Sequence, residues 1–188
     1  RMCDDLRSEY DDEIIEKWIE GETGFPFLDA CMKFLCENGW INFRMRAMIM
    51  SFASYNLWQP WQKTSPRLAE LFTDYEPGIH ISQVQMQSGV TGINLPRIYS
   101  ISKQSMDQDP DAEWTKNLLP QLNDFDPKLI HNAELNDSYI PQIVDLKSSA
   151  KFARDQIWGI RKSIEFKNEA RKVYLKHGSR RKRYTKTS

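Results

Sequence analysis

Long hydrophobic runs are missing from this sequence. No apolar stretch approaches the roughly 20 residues needed to span a bilayer, so no membrane-crossing helix is expected. An apolar secretory leader is missing too: the chain opens Arg1-Met2-Cys3-Asp4-Asp5, which points to the cytoplasm. Cysteine is scarce, three in all, and Cys3, Cys31 and Cys36 have neither disulfide nor zinc spacing. Free thiols in a reducing compartment follow, and a disulfide scaffold or zinc module is excluded. With 8 glycines there is no Gly-rich phosphate loop. Strand signals are weak, and no repeat or low-complexity tract is present.

Charge of one sign is also lacking overall: 26 Lys and Arg balance 26 Asp and Glu. The distribution is uneven. Acids dominate from Asp4 to Glu22, whereas basic residues alone punctuate the stretch from Arg171 to Ser188. The tail 176–188, with Arg180 and Arg181, reads either as a phosphate-touching segment or as a solvated terminus.

What is present is an ordinary globular composition, 40% hydrophobic and 28% charged over 188 residues, enough for one domain with a real core. We read residues 1–188 as a single all-α domain. A first helix covers Asp11 to Ile19 and breaks at Gly21. Pro26 opens the next, and Phe27, Leu28, Cys31, Phe34 and Leu35 recur at helical spacing until Gly39. Trp40 to Trp58 is apolar on more than one side, as in a central helix. Ser65-Pro66 reads as a cap and first-position proline for a short helix to Phe72. A helical segment around Ile79 to Ser88 follows. Residues from Thr91 to Asp109 read as irregular, Asp109-Pro110 as the start of a short helix through Trp114, and Asp124 to Pro141 as loop. Helices over Asp145–Arg161 and Ser163–Lys176 close the pattern, with Gly178 as the stop.

Arg46 lies within an apolar helix, and a buried guanidinium needs an anionic partner. Asp74 and Glu76 occupy a turn near enough in sequence to supply one. An Arg–Asp pair beside Trp40 and His80 either fixes helix register or walls a polar pocket suited to a planar redox ligand.

The wording of the segment adds to this. Glu20-Gly21-Glu22-Thr23-Gly24-Phe25-Pro26-Phe27-Leu28-Asp29-Ala30-Cys31-Met32, then Gly39-Trp40 and Arg44-Met45-Arg46, closely resembles the flavin-binding domain of the cryptochrome/photolyase family. Asp74-Tyr75-Glu76-Pro77-Gly78, Ser88-Gly89-Val90-Thr91-Gly92, Arg97-Ile98-Tyr99, Asp107-Gln108-Asp109-Pro110 with Glu113-Trp114, and Pro141-Gln142-Ile143-Val144-Asp145 match in order and spacing. The resemblance runs from about Trp18 to Arg161. It implies an all-helical domain holding FAD in a U shape and a blue-light or redox role.

By position, the resemblance assigns Arg46 to the arginine beside the isoalloxazine ring and Asp74 to its paired carboxylate. Trp40 falls at a tryptophan of the pocket wall, and Glu76 where a second aspartate is usual. His80 falls near the residue facing N5, or is a plain surface histidine. Phe43 replaces an asparagine of the lesion pocket, and Met86, read as core filling, replaces a tryptophan that stacks on a flipped dimer. Stacking needs an aromatic platform, so lesion repair is not expected of these residues. Trp61 matches the middle of three electron-transfer tryptophans, whereas Val84 stands at the one nearest the flavin. Photoreduction is therefore expected to bypass that chain, with Trp58 or Tyr55 as alternatives. Arg97 matches an arginine facing the DNA backbone, or is a surface charge, and DNA is a candidate partner. The resemblance also implies an N-terminal α/β antenna domain and a pyrophosphate-holding loop upstream of this chain. Two competing readings stay open: a DNA photolyase completed by that upstream part, and an FAD-free domain that binds DNA or a protein.

Overall fold

Local capping explains most of the helix starts in this computed structural model. The structure describes residues 6–91 and 97–162, with residues 168 and 171 beyond them. Helix α1 (Asp12–Ile19) begins where Asp11 Oδ1 accepts the Ile14 N–H at 3.2 Å, and it buries Ile15, Trp18 and Ile19 on one face. Helix α2 (Pro26–Asn38) has proline at its first position and ends at Gly39, whose φ of 69° is left-handed. A side chain at Gly39 would meet the Thr73 methyl at 2.4 Å, so the position requires glycine twice over.

Helix α3 (Phe43–Ser51) starts later than the sequence suggests, because Asn42 caps it by accepting the Met45 N–H at 3.0 Å. Trp40 therefore lies ahead of the helix, not in its first turn. Beyond Ser51 the backbone widens into a π-helical turn, Phe52–Asn56, closed by the Leu57 N–H to the Phe52 carbonyl at 3.0 Å. Helix α4 (Trp61–Leu71) follows Pro60, so Ser65-Pro66 is not its start. Pro66 sits on the exposed side inside the helix, and Ser65 is buried. Helix α5 (Pro77–Gln87) is capped by Glu76, whose Oε2 accepts the Ile79 N–H at 2.8 Å.

Two helices stand where irregular chain was expected: α6 (Ile101–Gln108), capped by Ser100, and α8 (Pro127–Asn132), capped by Asp126. Helix α7 (Glu113–Leu118) begins after Asp109-Pro110 rather than at it. Asp109 anchors its first turn, accepting the Trp114 N–H at 3.1 Å and both the N–H and hydroxyl of Thr115 at 2.8 and 2.7 Å. Helix α9 (Leu146–Lys162) lies where expected. Of the expected helix over 163–176 only residues 168 and 171 are described, each helical, and the rest lies outside the described residues.

Among the described residues the architecture is helical with no strand, as the residue pattern indicates. The largest buried cluster joins α1 to α5 through Trp18, Phe25, Phe27, Met32, Met48, Phe52, Leu68 and Val84. Burial of each such side chain contributes about 1.5–3 kcal/mol. A second cluster gathers Leu119, Leu122, Ile130 and Tyr139 under α2, and Trp114 touches both. The two are stitched by Asp29. Its carboxyl accepts the N–H and hydroxyl of Thr23 at 2.9 and 2.6 Å, the Gly24 N–H at 3.1 Å, and the Tyr139 hydroxyl at 3.0 Å. Burial still raises the Asp29 pKa, outweighing the donors that lower it. Gly24 lies so close to the Gln142 backbone that a β-carbon would approach it to 2.6 Å.

Candidate functional site

Helices α3, α4 and α5 and the turn between the last two enclose a cavity of about 190 Å³. Ala47, Met50, Leu68, Phe72 and Val84 give it an apolar floor, and Phe43, Tyr75 and Ile79 form exposed rims. Its polar lining is Arg46, Asp74, Glu76, His80, Gln83 and Gln87.

Arg46 is fixed on three sides. Its Nη1 and Nη2 donate to Asp74 Oδ1 and Oδ2 at 3.1 and 2.9 Å, a bidentate pair, and its Nε donates to the Ile41 carbonyl at 2.8 Å. The guanidinium lies 4.2 Å from the centre of the Phe72 ring. The pair is not deeply buried, as the sequence had suggested: the side chains are 27% and 48% exposed, so the charges sit at the cavity mouth. Hydrogen bonding from Arg46 holds the Asp74 carboxyl below the usual carboxylate range, against a smaller effect of burial. Asp74 has a second support. The carbonyl of Gly39, at the end of α2, accepts the Thr73 N–H at 3.0 Å and the Thr73 hydroxyl at 3.2 Å, which pins the turn one residue before the acid.

His80 stands on the first turn of α5 between the edges of Phe72 and Tyr75, with ring centroids 6.0 and 5.3 Å away. Its Nε2 lies 3.0 Å from the Ser65 hydroxyl and 3.1 Å from the Ser65 carbonyl. Burial, with the Arg46 charge adding to it and the hydrogen bond to the Ser65 carbonyl opposing it, holds its pKa below the usual histidine value and favours the neutral ring. The side-chain oxygen of Gln83, one turn further on, is buried without a hydrogen-bond partner among the described residues.

Of the residues singled out from sequence, Phe43, Arg46, Asp74, Glu76 and His80 line this one cavity. Trp40 is outside the lining and half exposed. The Arg46 guanidinium of the site lies 6.0 Å from its ring. Trp61 lies in a neighbouring groove that shares Tyr75 with the cavity, and its indole N–H is buried without a partner among the described residues. Met86 is only half buried rather than packed as core. Arg97 is exposed, and its carbonyl accepts the Ser51 hydroxyl at 3.1 Å. Arg180 and Arg181 lie outside the described residues. Sequence reasoning missed Gln83 and Gln87. The spacing His80, Gln83, Val84, Gln87 puts all four on one face of α5, and that periodicity was the available signal.

Among the described residues no group of three His, Cys, Asp or Glu is placed to hold a metal, and no helix is long and apolar enough to cross a membrane.

The family model for the FAD binding domain of DNA photolyase matches residues 1–159. The deoxyribodipyrimidine photo-lyase of Alkalihalophilus pseudofirmus is 30% identical over 129 residues, covering 68% of this chain and 27% of that protein. The chloroplastic/mitochondrial cryptochrome DASH of Oryza sativa subsp. japonica is 33% identical over 140 residues, 73% of this chain and 23% of that protein. The crystal structure of the archaeal photolyase from Sulfolobus tokodaii, which holds two FAD molecules, superposes with a TM-score of 0.79 at 27% identity, over 85% of this chain and 38% of its own. The chain thus spans about a quarter of the length of these curated relatives.

Proposed function

The chain belongs to the family of the FAD binding domain of DNA photolyase, and from that premise we propose that it is a flavin-binding module of a light-responsive or redox flavoprotein, with the isoalloxazine ring of FAD at the cavity between α3 and α5. The bidentate Arg46–Asp74 pair at the mouth of an apolar cleft carries this reading. The residues fit such a group. A flat ring edged with carbonyls and one N–H asks for a cation and an acceptor held at a fixed spacing over an apolar floor. Arg46 and Asp74 meet that need, and the buried, unpartnered oxygen of Gln83 is an acceptor available to a donor in the cavity. When bound, a flavin absorbs blue light and exchanges electrons singly or in pairs.

The chain's own residues would then do three things. Arg46 places positive charge where electron density accumulates, and Asp74 keeps the guanidinium in one orientation. Met50, Leu68, Phe72 and Val84 exclude water from one side of the ring. Glu76 holds the first turn of α5 in place through its cap. We further propose that the described helices act as one domain. Dimer repair is the competing activity, but Phe43 offers no polar reader and half-buried Met86 no aromatic platform at their positions. Purified protein mixed with FAD tests the reading. Quenching of flavin fluorescence and a resolved flavin spectrum after desalting are expected; a colourless protein that takes up no flavin refutes it. Blue-light repair of a pyrimidine dimer by the bound protein would favour the photolyase reading and give DNA as the partner.

A further inference from the structure

Helix α9 contributes no residue to the cavity lining. Its inner face is spent on the core, where Ala153 and Ile157 pack with Tyr55 of the π-helical turn. Its outer face carries Lys147, Lys151, Arg154, Trp158 and Lys162, all exposed, and half-buried Arg161. At about 3.6 residues per turn these six positions fall within about 100° of the helix circumference, a single stripe on a helix about 25 Å long. Five cations thus share the helix with one acid, Asp155 at the flank of the stripe, in a chain whose charges balance as a whole. Asp145, just ahead of the helix, is turned onto its first turn and accepts the Ser148 N–H at 2.7 Å. In the middle of the stripe the Trp158 side chain is 46% exposed. With Ile98, Arg154 and Ile157 it lines a notch of about 270 Å³. The Arg161 guanidinium lies 5.9 Å from the indole centre.

From this arrangement we propose that the outer face of α9 binds a single nucleic-acid strand, with phosphates along the Lys and Arg stripe and one unpaired base stacked on Trp158 beside Ile98. The stripe alternates what such a strand alternates. Successive positions stand three or four residues apart, about 4.5–6 Å along the axis, so each phosphate meets a cation near the next. The indole offers a π-face to any base, and the guanidiniums of Arg154 and Arg161, one turn to either side of it, flank the stacked unit. A base in a duplex has both faces covered by its neighbours, so the strand must be single for the stack to form. A lipid surface suits the face less well. Interfacial helices sink an apolar side into the bilayer, and the apolar side of α9 is already taken by Tyr55. The site is separate from the flavin cavity and stands whether or not flavin binds.

Fluorescence anisotropy of a labelled oligothymidylate of about 12 nucleotides, titrated with the full chain over a series of salt concentrations, tests the proposal. Every variant keeps the basic tail, so a difference from wild type belongs to α9. Trp158→Ala should weaken strand binding about tenfold, and Trp158→Phe, which keeps a ring, should stay within about threefold of wild type. The triple variant Lys151→Gln, Arg154→Gln, Lys162→Gln should flatten the slope of log affinity against log salt by about 2, at about 0.7 for each phosphate released. A blunt duplex of the same length should lose less than about twofold on Trp158→Ala, since it offers no unpaired base. Melting curves confirm that these surface variants fold. Wild-type affinity in Trp158→Ala, an unchanged salt slope in the triple variant, or an equal loss on duplex and single strand each overturns the proposal. An oligoglutamate peptide that binds and shows the same tenfold loss in Trp158→Ala would assign the face to an acidic protein and overturn it as well.

Discussion

The hydroxyl of Tyr139 donates to the carboxyl of Asp29 at 3.0 Å across 110 residues of sequence. Burial pushes the Tyr139 hydroxyl far above its usual pKa, and the neighbouring carboxyl adds to that. The phenol therefore remains a donor well above neutral pH. Tyr139→Phe removes one donor from a buried acid and should cost about 1–2 kcal/mol in urea unfolding. Asp29→Ala strands the Thr23 and Gly24 donors as well, and about 3–5 kcal/mol is expected. Equal costs for the two variants would show that the knot is not shared as drawn.

At the cavity mouth the opposite balance is expected. The Arg46–Asp74 pair is part-exposed, so breaking it should change folding stability by only about 0.2–1 kcal/mol. Flavin affinity should suffer more, about 10- to 100-fold in Arg46→Leu, the value of a charge-assisted contact. Fluorescence titration beside a melting curve separates the two quantities.

The pH dependence of stability has a sign set by His80. Its folded pKa lies below the unfolded one near 6.5, so below that pH the unfolded chain binds the extra proton. Stability should therefore fall as pH drops from 7 through 6.5 toward 5, and the slope should be shallower in His80→Asn. Asp74 acts in the same direction at lower pH. Its pKa is depressed, so its contribution is present above the unfolded value of about 3.9 and is lost as pH falls through the folded one. Urea midpoints measured at half-unit steps would show an identical slope in His80→Asn if the histidine were solvated.

Trp61 is half buried in a neighbouring groove, and Val84 rather than an aromatic ring lines the cavity. Trp61→Phe should leave photoreduction of bound FAD within about twofold of wild type, because dropping one ring from a broken relay changes little. Complete loss of photoreduction would place Trp61 on the route.

The helices that could be read from residues are those with punctuation and an apolar stripe. Pro26 and Gly39 frame α2, and Phe27, Leu28, Cys31 and Leu35 supply its buried face. Helix α6 was invisible because Ile101-Ser102-Lys103-Gln104-Ser105-Met106-Asp107-Gln108 holds one buried apolar residue, and tertiary packing decides it. Helix α8 is only six residues long and is set by Asp126 and Pro127. Ser65-Pro66 misled because the same two residues spell a helix start, while the fold uses Ser65 to orient His80. Arg46 and Asp74 were legible as a cation in an apolar run followed by an acidic turn. Gln83 and Gln87 were not, since uncharged amides on a short helix look solvated until the neighbouring helices arrive.

The Gly39 carbonyl holds Thr73 twice, independently of Arg46. The acid is thus moored by the backbone of a different helix, and its location does not depend on the cation it faces. Anyone re-engineering this pocket can exchange the arginine for another side chain and expect the carboxylate to remain as a fixed landmark. Tampering with the end of α2, far from the acid in sequence, is what would set it adrift.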